Sequence, residues 1–364
     1  MIKLTNSILN FTANSTERRE GYKSFVEYYE LYKSGKRANE QGVTLEEMND
    51  KMLKLFTDEI ERMSGKKMST YSDIATYTSF SDVQQAAFAV IGMITDLIIP
   101  DALIKDLGYI AEIKNGGWGE SLKVELQPRD LFVVSKGGRN RRRYDITRFY
   151  KGESTIIPEA HGITVGISLY DILTKKISLA ELVSRAAQSM EVNVKRDIYY
   201  VFAQAMDNLP SSGTNSLVVN GWSTDAAVKL IQKVEAWNGG AKAIMLGTKL
   251  ALSKVIPEST NVRFLLGDDY FKLGHLREYF GTSVIEMEQV ADYTTEFGVL
   301  LPDDKVYVIC PGVDKAVKVF FEGSTQSKID TDYENANLVV TGTIYKSYGV
   351  GAISSALAGI IKLS

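Results

Sequence analysis

The stretch Ser178–Asn208, SLAELVSRAAQSMEVNVKRDIYYVFAQAMDN, decides the fold. Ser178 with Glu181 has the form of a capping box, in which a hydroxyl and a carboxylate each satisfy an unpaired amide at a helix start. Leu179, Leu182, Val183, Ala186, Met190, Val194, Ile198, Phe202 and Met206 then keep three- and four-residue spacing until Asn208 and Pro210. At 1.5 Å per residue, a helix of about 30 residues runs roughly 45 Å. An element of that length organises a domain around itself.

Toward the C-terminus, helix and strand signals alternate. Ser223 to Trp237 reads as a helix closed by Asn238-Gly239-Gly240, Ala241 to Leu246 as a buried strand, and Thr248 to Ile256 as a short helix stopped before Pro257. Asp268 to Phe280 reads as a helix, followed by strands at Ser283–Met287, Lys305–Cys310 and Ala316–Phe321. The last segment, from Asn337 through Tyr345 to Leu363, is β-prone and rich in Gly, Ala and Ser.

Toward the N-terminus, Trp118 to Tyr170 alternates polar and apolar residues. Leu122–Leu126 and Leu131–Val134 before the break at Gly137-Gly138, then Tyr144–Tyr150 and Gly162–Tyr170, predict the rising and returning arms of long hairpins. Two-stranded ribbons are marginal in water, so such an arm must rest on something else. The apolar run Ala86–Ile104 is interrupted by Asp96, Pro100 and Asp101, which predicts a buried helix with a turn and not a membrane span. The first eighty residues read as helical and polar. Thr44-Leu-Glu-Glu47 is a second capping box, and Leu45, Met48, Met52, Leu55, Phe56, Ile60 and Met63 form one apolar stripe ending at Ser64-Gly65.

Composition narrows the chemistry. A chain of 364 residues with 45% hydrophobic and 24% charged content buries a full core, and no solenoid repeat interrupts it. Its 42 basic and 45 acidic side chains leave a formal net charge of -3, which excludes a polybasic nucleic-acid binder. Two histidines, His161 and His275, and one cysteine, Cys310, exclude a disulfide framework and leave little for a zinc site. The N-terminus lacks the pattern of a secretory signal, so a soluble protein made in a cytoplasm is expected.

His161 reads as a turn residue between β-prone runs, His275 as a surface or half-buried histidine at helical spacing. Asp268-Asp269, Asp303-Asp304 and the pair Glu286, Glu288 read as caps, turns or solvated strand faces. Gly247-Thr248-Lys249 stands at a strand-to-helix corner whose amides could hold an anion, without the spacing of a phosphate loop. Lys136-Gly-Gly-Arg139-Asn-Arg141-Arg142-Arg143 is the sharpest charge feature. Clustered arginines suit phosphates, carboxylates of another subunit, or a merely solvated turn.

The order of these elements from about Ser81 onward resembles the major capsid proteins of tailed bacteriophages, with the Hong Kong 97-type fold. The local likeness lies in Phe149-Tyr-Lys-Gly-Glu153, then Ile163 to Leu173, then Ser178 to Leu182 and Val194 to Phe202. The long N-terminal arm and the Arg139–Arg143 cluster depart from the family's pattern. The resemblance implies an α+β chain divided as follows: residues 1–80, a helical arm; 81–116, the start of a peripheral domain; 117–165, an extended β loop; 166–220, the peripheral domain with a spine helix; 221–330, an axial α/β domain; and 331–364, a returning β segment.

It further implies a structural subunit that assembles into hexamers and pentamers of an icosahedral shell around double-stranded DNA, bound without sequence specificity. The virion capsid is its place, assembled in the bacterial host cytoplasm. Portal, scaffolding and decoration proteins are its expected partners, with no membrane, catalytic residue, metal or cofactor. Arg139, Arg141, Arg142 and Arg143, with the stripe Leu45, Met48, Met52, Phe56 and Ile60, are the expected inter-subunit contacts. The alternatives are an encapsulin-like shell holding protein cargo, and an α/β enzyme binding a phosphorylated ligand near Gly247–Lys249.

Overall fold

The computed structural model describes residues 16–39, 42–126, 152–211, 213, 216–256, 273–292, 298–330 and 340–363. Its helices are α1 (Thr16–Ser34), α2 (Leu45–Ser64), α3 (Tyr71–Tyr77), α4 (Ser81–Leu107), α5 (Leu169–Leu173), α6 (Leu179–Asp207), α7 (Thr224–Trp237) and α8 (Lys249–Ser253). Its strands are β1 (Ala111–Gly116), β2 (Leu122–Leu126), β3 (Gly152–Ile156), β4 (Glu159–Ile167), β5 (Val218–Asn220), β6 (Ile244–Gly247) and β7 (Glu278–Tyr279). They continue as β8 (Thr282–Glu286), β9 (Ala291–Asp292), β10 (Gly298–Val299), β11 (Lys305–Ile309), β12 (Val317–Asp330), β13 (Val340–Gly351) and β14 (Gly359–Lys362).

The long periodic stretch becomes α6, capped by Ser178, whose hydroxyl oxygen accepts the Glu181 amide at 3.3 Å. Only that half of the expected capping box forms at this helix. The Glu181 carboxylate pairs with Arg185 at 2.6 Å, one turn on, and the Ser178 hydroxyl donates to Asn49 of α2. At α2 both halves of the Thr44–Glu47 box are present, and Gly65 closes the helix at φ 71°. That left-handed conformation is open to glycine at little cost.

Beneath α6 lies α4, which runs unbroken through Pro100 where a turn was expected. Proline leaves the Asp96 carbonyl without its helical donor. Fifteen of the 27 residues of α4 are buried, and packing against α2, α6 and β12 holds the helix together across the lost bond. The same helix is long and apolar enough to cross a membrane, yet here it is the central core helix of the chain.

Two sheets flank this centre. The first has the order β1-β12-β13-β4, with β1 parallel to β12 and the other pairs antiparallel. The second has the order β5-β14-β11-β6-β8-β7 and is covered by α7, whose Ala227, Leu230 and Val234 pack with Met245, Val306, Val308 and Ile361. A separate pair, β2 with β3, forms the base of a ribbon.

The run Gly162–Tyr170 is therefore not a returning ribbon arm. Its strand, β4, pairs with β13 through nine residues, and α5 begins at Leu169. The pairing partner lies some 180 residues later, as in the Thr164–Thr343 side-chain hydrogen bond of 2.9 Å. Leu131–Val134, Tyr144–Tyr150 and the arginines Arg139, Arg141, Arg142 and Arg143 lie outside the described residues, as do 257–272. The helix expected over Asp268–Phe280 does not reach its predicted end, because the chain turns at Gly274 and forms strand β7.

What joins α4 to the first sheet is polar and buried. Between Glu322 and Gln326 the β12–β13 register shifts, and Gly323 takes φ 55°. This bulge turns the Thr325 amide and hydroxyl onto the Asp96 carboxylate, with the amide at 2.7 Å. Lys346 of β13 donates to the same carboxylate and, at 3.1 Å, to the Gly323 carbonyl. Asp96 and Lys346 are 2% and 5% exposed, so each charge depends on the other. Beside this lock β13 approaches α4 so closely that a Cβ at Gly342 would lie 2.2 Å from the Phe88 ring.

Removing one partner of a buried pair typically costs 3–5 kcal/mol, because the other charge stays buried alone. Urea unfolding of unassembled Asp96→Asn should accordingly show a loss of about that size, and adding Lys346→Met should recover part of it. A loss below about 1 kcal/mol, the range of exposed pairs, would show that the lock is not what joins helix to sheet.

Candidate assembly surfaces

The expected N-terminal contact stripe is consumed within the chain. Met48, Met52, Phe56 and Ile60 are 4% exposed or less and pack in the central core, while Leu45 is half-buried against it. An apolar face with a partner already on it offers nothing to another subunit, so these four side chains are removed from the inter-subunit surface. Leu45 adds at most a rim contact.

The preceding helix α1 is tied to α6 and to the end of α4 by charge. The Tyr29 hydroxyl donates to Glu191, and Lys33 bonds Glu191 at 2.8 Å and Asp106 at 2.6 Å. Lys195 completes the cluster, on Glu191 at 2.6 Å and on Asp106. Burial and the neighbouring Glu191 charge push the Tyr29 phenol far above its ordinary 10.0. Burial disfavours the Lys33 ammonium, but hydrogen bonds to Asp106 and Glu191 outweigh it and raise Lys33. Asp106 is likewise disfavoured by burial and held below its ordinary 3.8 by Lys195 and Lys33. A second tie runs from Asn49 of α2, whose side-chain oxygen accepts the Ala180 amide at the start of α6.

The β2–β3 ribbon is rooted where Leu122 pairs with Ile156. Ile156 packs with Phe320 and Ile353, and β13 makes room for it with Gly349 and Gly351, where a Cβ would come within 2.7 and 2.9 Å of the Ile156 side chain. The turn at Trp118 rests on Gly323, and Glu322 accepts the Gly119 amide at 2.6 Å. Beyond this root, residues on both ribbon faces are exposed or half-buried, and Lys123–Glu153 at 3.6 Å is a solvated pair. Ile157, just past the ribbon, is 73% exposed.

Other large apolar side chains face outward on α6, α7 and the tip of the β7–β8 hairpin: Tyr200, Trp237 and Phe280. Phe280 stands at φ 48°, a left-handed conformation rarely taken by a bulky residue.

The residues that the sequence singled out for chemistry do not come together among the described residues. At the Gly247–Lys249 corner the Thr248 hydroxyl caps α8 and donates to Asp303 at 2.6 Å, so a carboxylate occupies the approach an anion would need. The α8 helix itself is five residues long. His161 is not in a turn: it lies within β4, stacked on Tyr348 with ring centroids 4.0 Å apart, and Tyr348 donates to Asp197 at 2.6 Å. His275 is buried rather than half-exposed, with Nδ1 3.8 Å from Glu286. The described residues hold no group of three or more metal-ligating side chains.

The sequence profile of a family described as "SPbeta prophage-derived putative capsid protein YonB" matches residues 29–362. A comparison with curated proteins yields no match. Among solved structures, the capsid of a native GTA particle superposes with a TM-score of 0.52 at 14% identity, over 71% of this chain and 90% of that one. The mature capsid of bacteriophage PhiM1 gives 0.48 at 12% identity, over 69% of this chain and 85% of that one.

The charge ties set an acid limit. Beside Asp106, Glu112 is lowered chiefly by its hydrogen bond from Lys318, and Asp314 is lowered by Lys318 and Ser355 against its burial. A carboxylate held below its unfolded value stabilises the fold above that value and loses the contribution as pH falls through its folded value. Melting temperature should therefore be flat from about pH 8 to 5 and fall below about pH 4. Lys318→Met should flatten the acid limb; an unchanged limb would show that these carboxylates do not set it.

Proposed function

This chain belongs to the YonB family of prophage-derived capsid proteins and is a structural major capsid protein of the virion shell, and from that premise we propose how it builds the shell. Copies assemble into hexamers and pentamers that close an icosahedral particle around double-stranded DNA. The observation that carries this reading is the ribbon: among the described residues β2 and β3 pair only with each other, rooted where Ile156 packs on Phe320 and Ile353, and the residues farther along are exposed or half-buried. A ribbon that cannot stabilise itself needs a neighbouring surface.

Within that reading α6 is the spine helix, α7 with the six-stranded sheet is the axial domain, and the four-stranded sheet with α4 is the peripheral domain. Arg139, Arg141, Arg142 and Arg143 lie midway along residues 127–151 and would pair with carboxylates of the next subunit. The net charge of -3 fits DNA that is enclosed without sequence-specific contact. Portal, scaffolding and decoration proteins would be the other partners, and assembly would take place in the host cytoplasm. The role is structural, and neither the cargo compartment nor the phospholigand enzyme is favoured.

Exposed pairs contribute about 0–1 kcal/mol each, but a shell repeats the contact at every copy. Sedimentation of Arg141→Glu/Arg142→Glu protein should show capsomers or shells strongly reduced, with the melting temperature of the unassembled chain nearly unchanged. Normal shells that fill poorly with DNA would reassign the cluster to phosphate.

A further inference from the structure

Strands β7 and β8 are joined by two residues, Phe280 and Gly281, with Tyr279 paired to Thr282 across the turn. Both loop residues have positive φ, 48° and 77°. Two-residue hairpins of that kind, with the type I′ turn, follow the right-handed twist of their strands and ordinarily carry Asn, Asp or Gly in the left-handed positions. Gly281 obeys the rule. Phe280 breaks it, since a side chain in this region crowds its own backbone.

The fold gives little to offset that strain. The Phe280 side chain is 67% exposed, and its ring meets that of the adjacent Tyr279, with centroids 4.9 Å apart. A phenyl left mostly in water gains little from the interior. Asn at the same place would suit the turn and forfeit almost no packing. A strained, bulky and exposed residue at a hairpin tip therefore points to a contact outside the chain.

What lies beneath the ring is fixed. Tyr279 is 2% exposed and packs edge-on against Trp222 at 5.5 Å, and the Trp222 indole nitrogen donates to the Ile256 carbonyl at 3.0 Å. Both aromatics belong to the core that α7 makes with the six-stranded sheet. An aromatic side chain held in advance loses little freedom on binding, which is what makes such residues anchors of interfaces. Around it Arg277, Glu278 and Ser283 are exposed and polar, as at the rim of a contact.

We propose that Phe280 anchors the contact between neighbouring copies of this chain, as a knob in an apolar recess of the next copy, with Arg277, Glu278 and Ser283 as its polar rim. This rests on the shell reading above: a subunit of a closed shell meets copies of itself, so a second copy is the partner. A single knob at a hairpin tip makes a head-to-tail contact, the kind that closes rings.

Phe280→Asn separates assembly from folding. The melting temperature of the unassembled variant should be unchanged or raised by about 1–3 °C, because Asn accepts the left-handed turn. Sedimentation at a concentration where half of the wild type is assembled should show the assembled fraction reduced at least about tenfold. Phe280→Gly should lose assembly to the same extent. With p-benzoylphenylalanine at position 280, irradiation should give covalent dimers from assembled protein and none from the unassembled chain. Normal assembly of either variant would overturn the proposal, as would crosslinks confined to one chain. A melting temperature of Phe280→Asn lower by more than about 3 °C would also overturn it, by making the ring a support of its own fold. A wild type that never assembles would overturn the shell reading and this proposal with it, a result distinct from an assembling wild type beside an assembling variant.

Discussion

One buried carboxylate, Asp96, joins the two halves of the architecture. It sits in the middle of the most apolar helix of the chain, and its ligands come from a bulge in β12 and a lysine in β13 more than two hundred residues later. A charge at that depth is costly unless every oxygen is bonded. Because only one register of β12 against β13 presents Thr325, Gly323 and Lys346 together, the cost of leaving Asp96 unpaired selects that register. The close seat of Gly342 on Phe88 and of Gly349 on Ile156 then follows from the same strand position.

Around that joint the molecule divides into surfaces that are finished and surfaces that are not. The α1 and α2 helices are finished: the α2 stripe is covered, four charged groups and a tyrosine bind α1 to α6 and the end of α4, and Asn49 ties α2 to the start of α6. Among the described residues, the exposed faces of the β2–β3 ribbon and the exposed aromatics Tyr200, Trp237 and Phe280 are unfinished. A shell subunit needs several distinct faces of this second kind, since closed assemblies are built by repeating a few contacts. Docking of residues 16–64 into the core also means that removing them would damage the body itself, beyond any loss of assembly.

Local signals in the sequence carried the helices well and the sheets poorly. Ser178, Thr44, Gly65 and Asn208 are caps whose side chains or backbone act within four residues, so α2 and α6 were legible to within a residue at their ends. The pairing of β4 with β13 was not legible, because a β-prone run states a preference for some partner and does not name it. Pro100 misled because tertiary packing overrides a local break. His161 misled because its neighbours Tyr348 and Asn193 come from a distant strand and from α6. The functional resemblance was readable from element order, whereas the covered state of Met48, Met52, Phe56 and Ile60 required the fold.

The central claim is that this body is a building block whose open surfaces are satisfied by copies of itself. Electron microscopy of the purified protein tests it most directly. The account predicts closed or polygonal particles, or the ring-shaped capsomers from which they form. A well-folded monomer that persists at high concentration, across salt and crowding conditions, would contradict it.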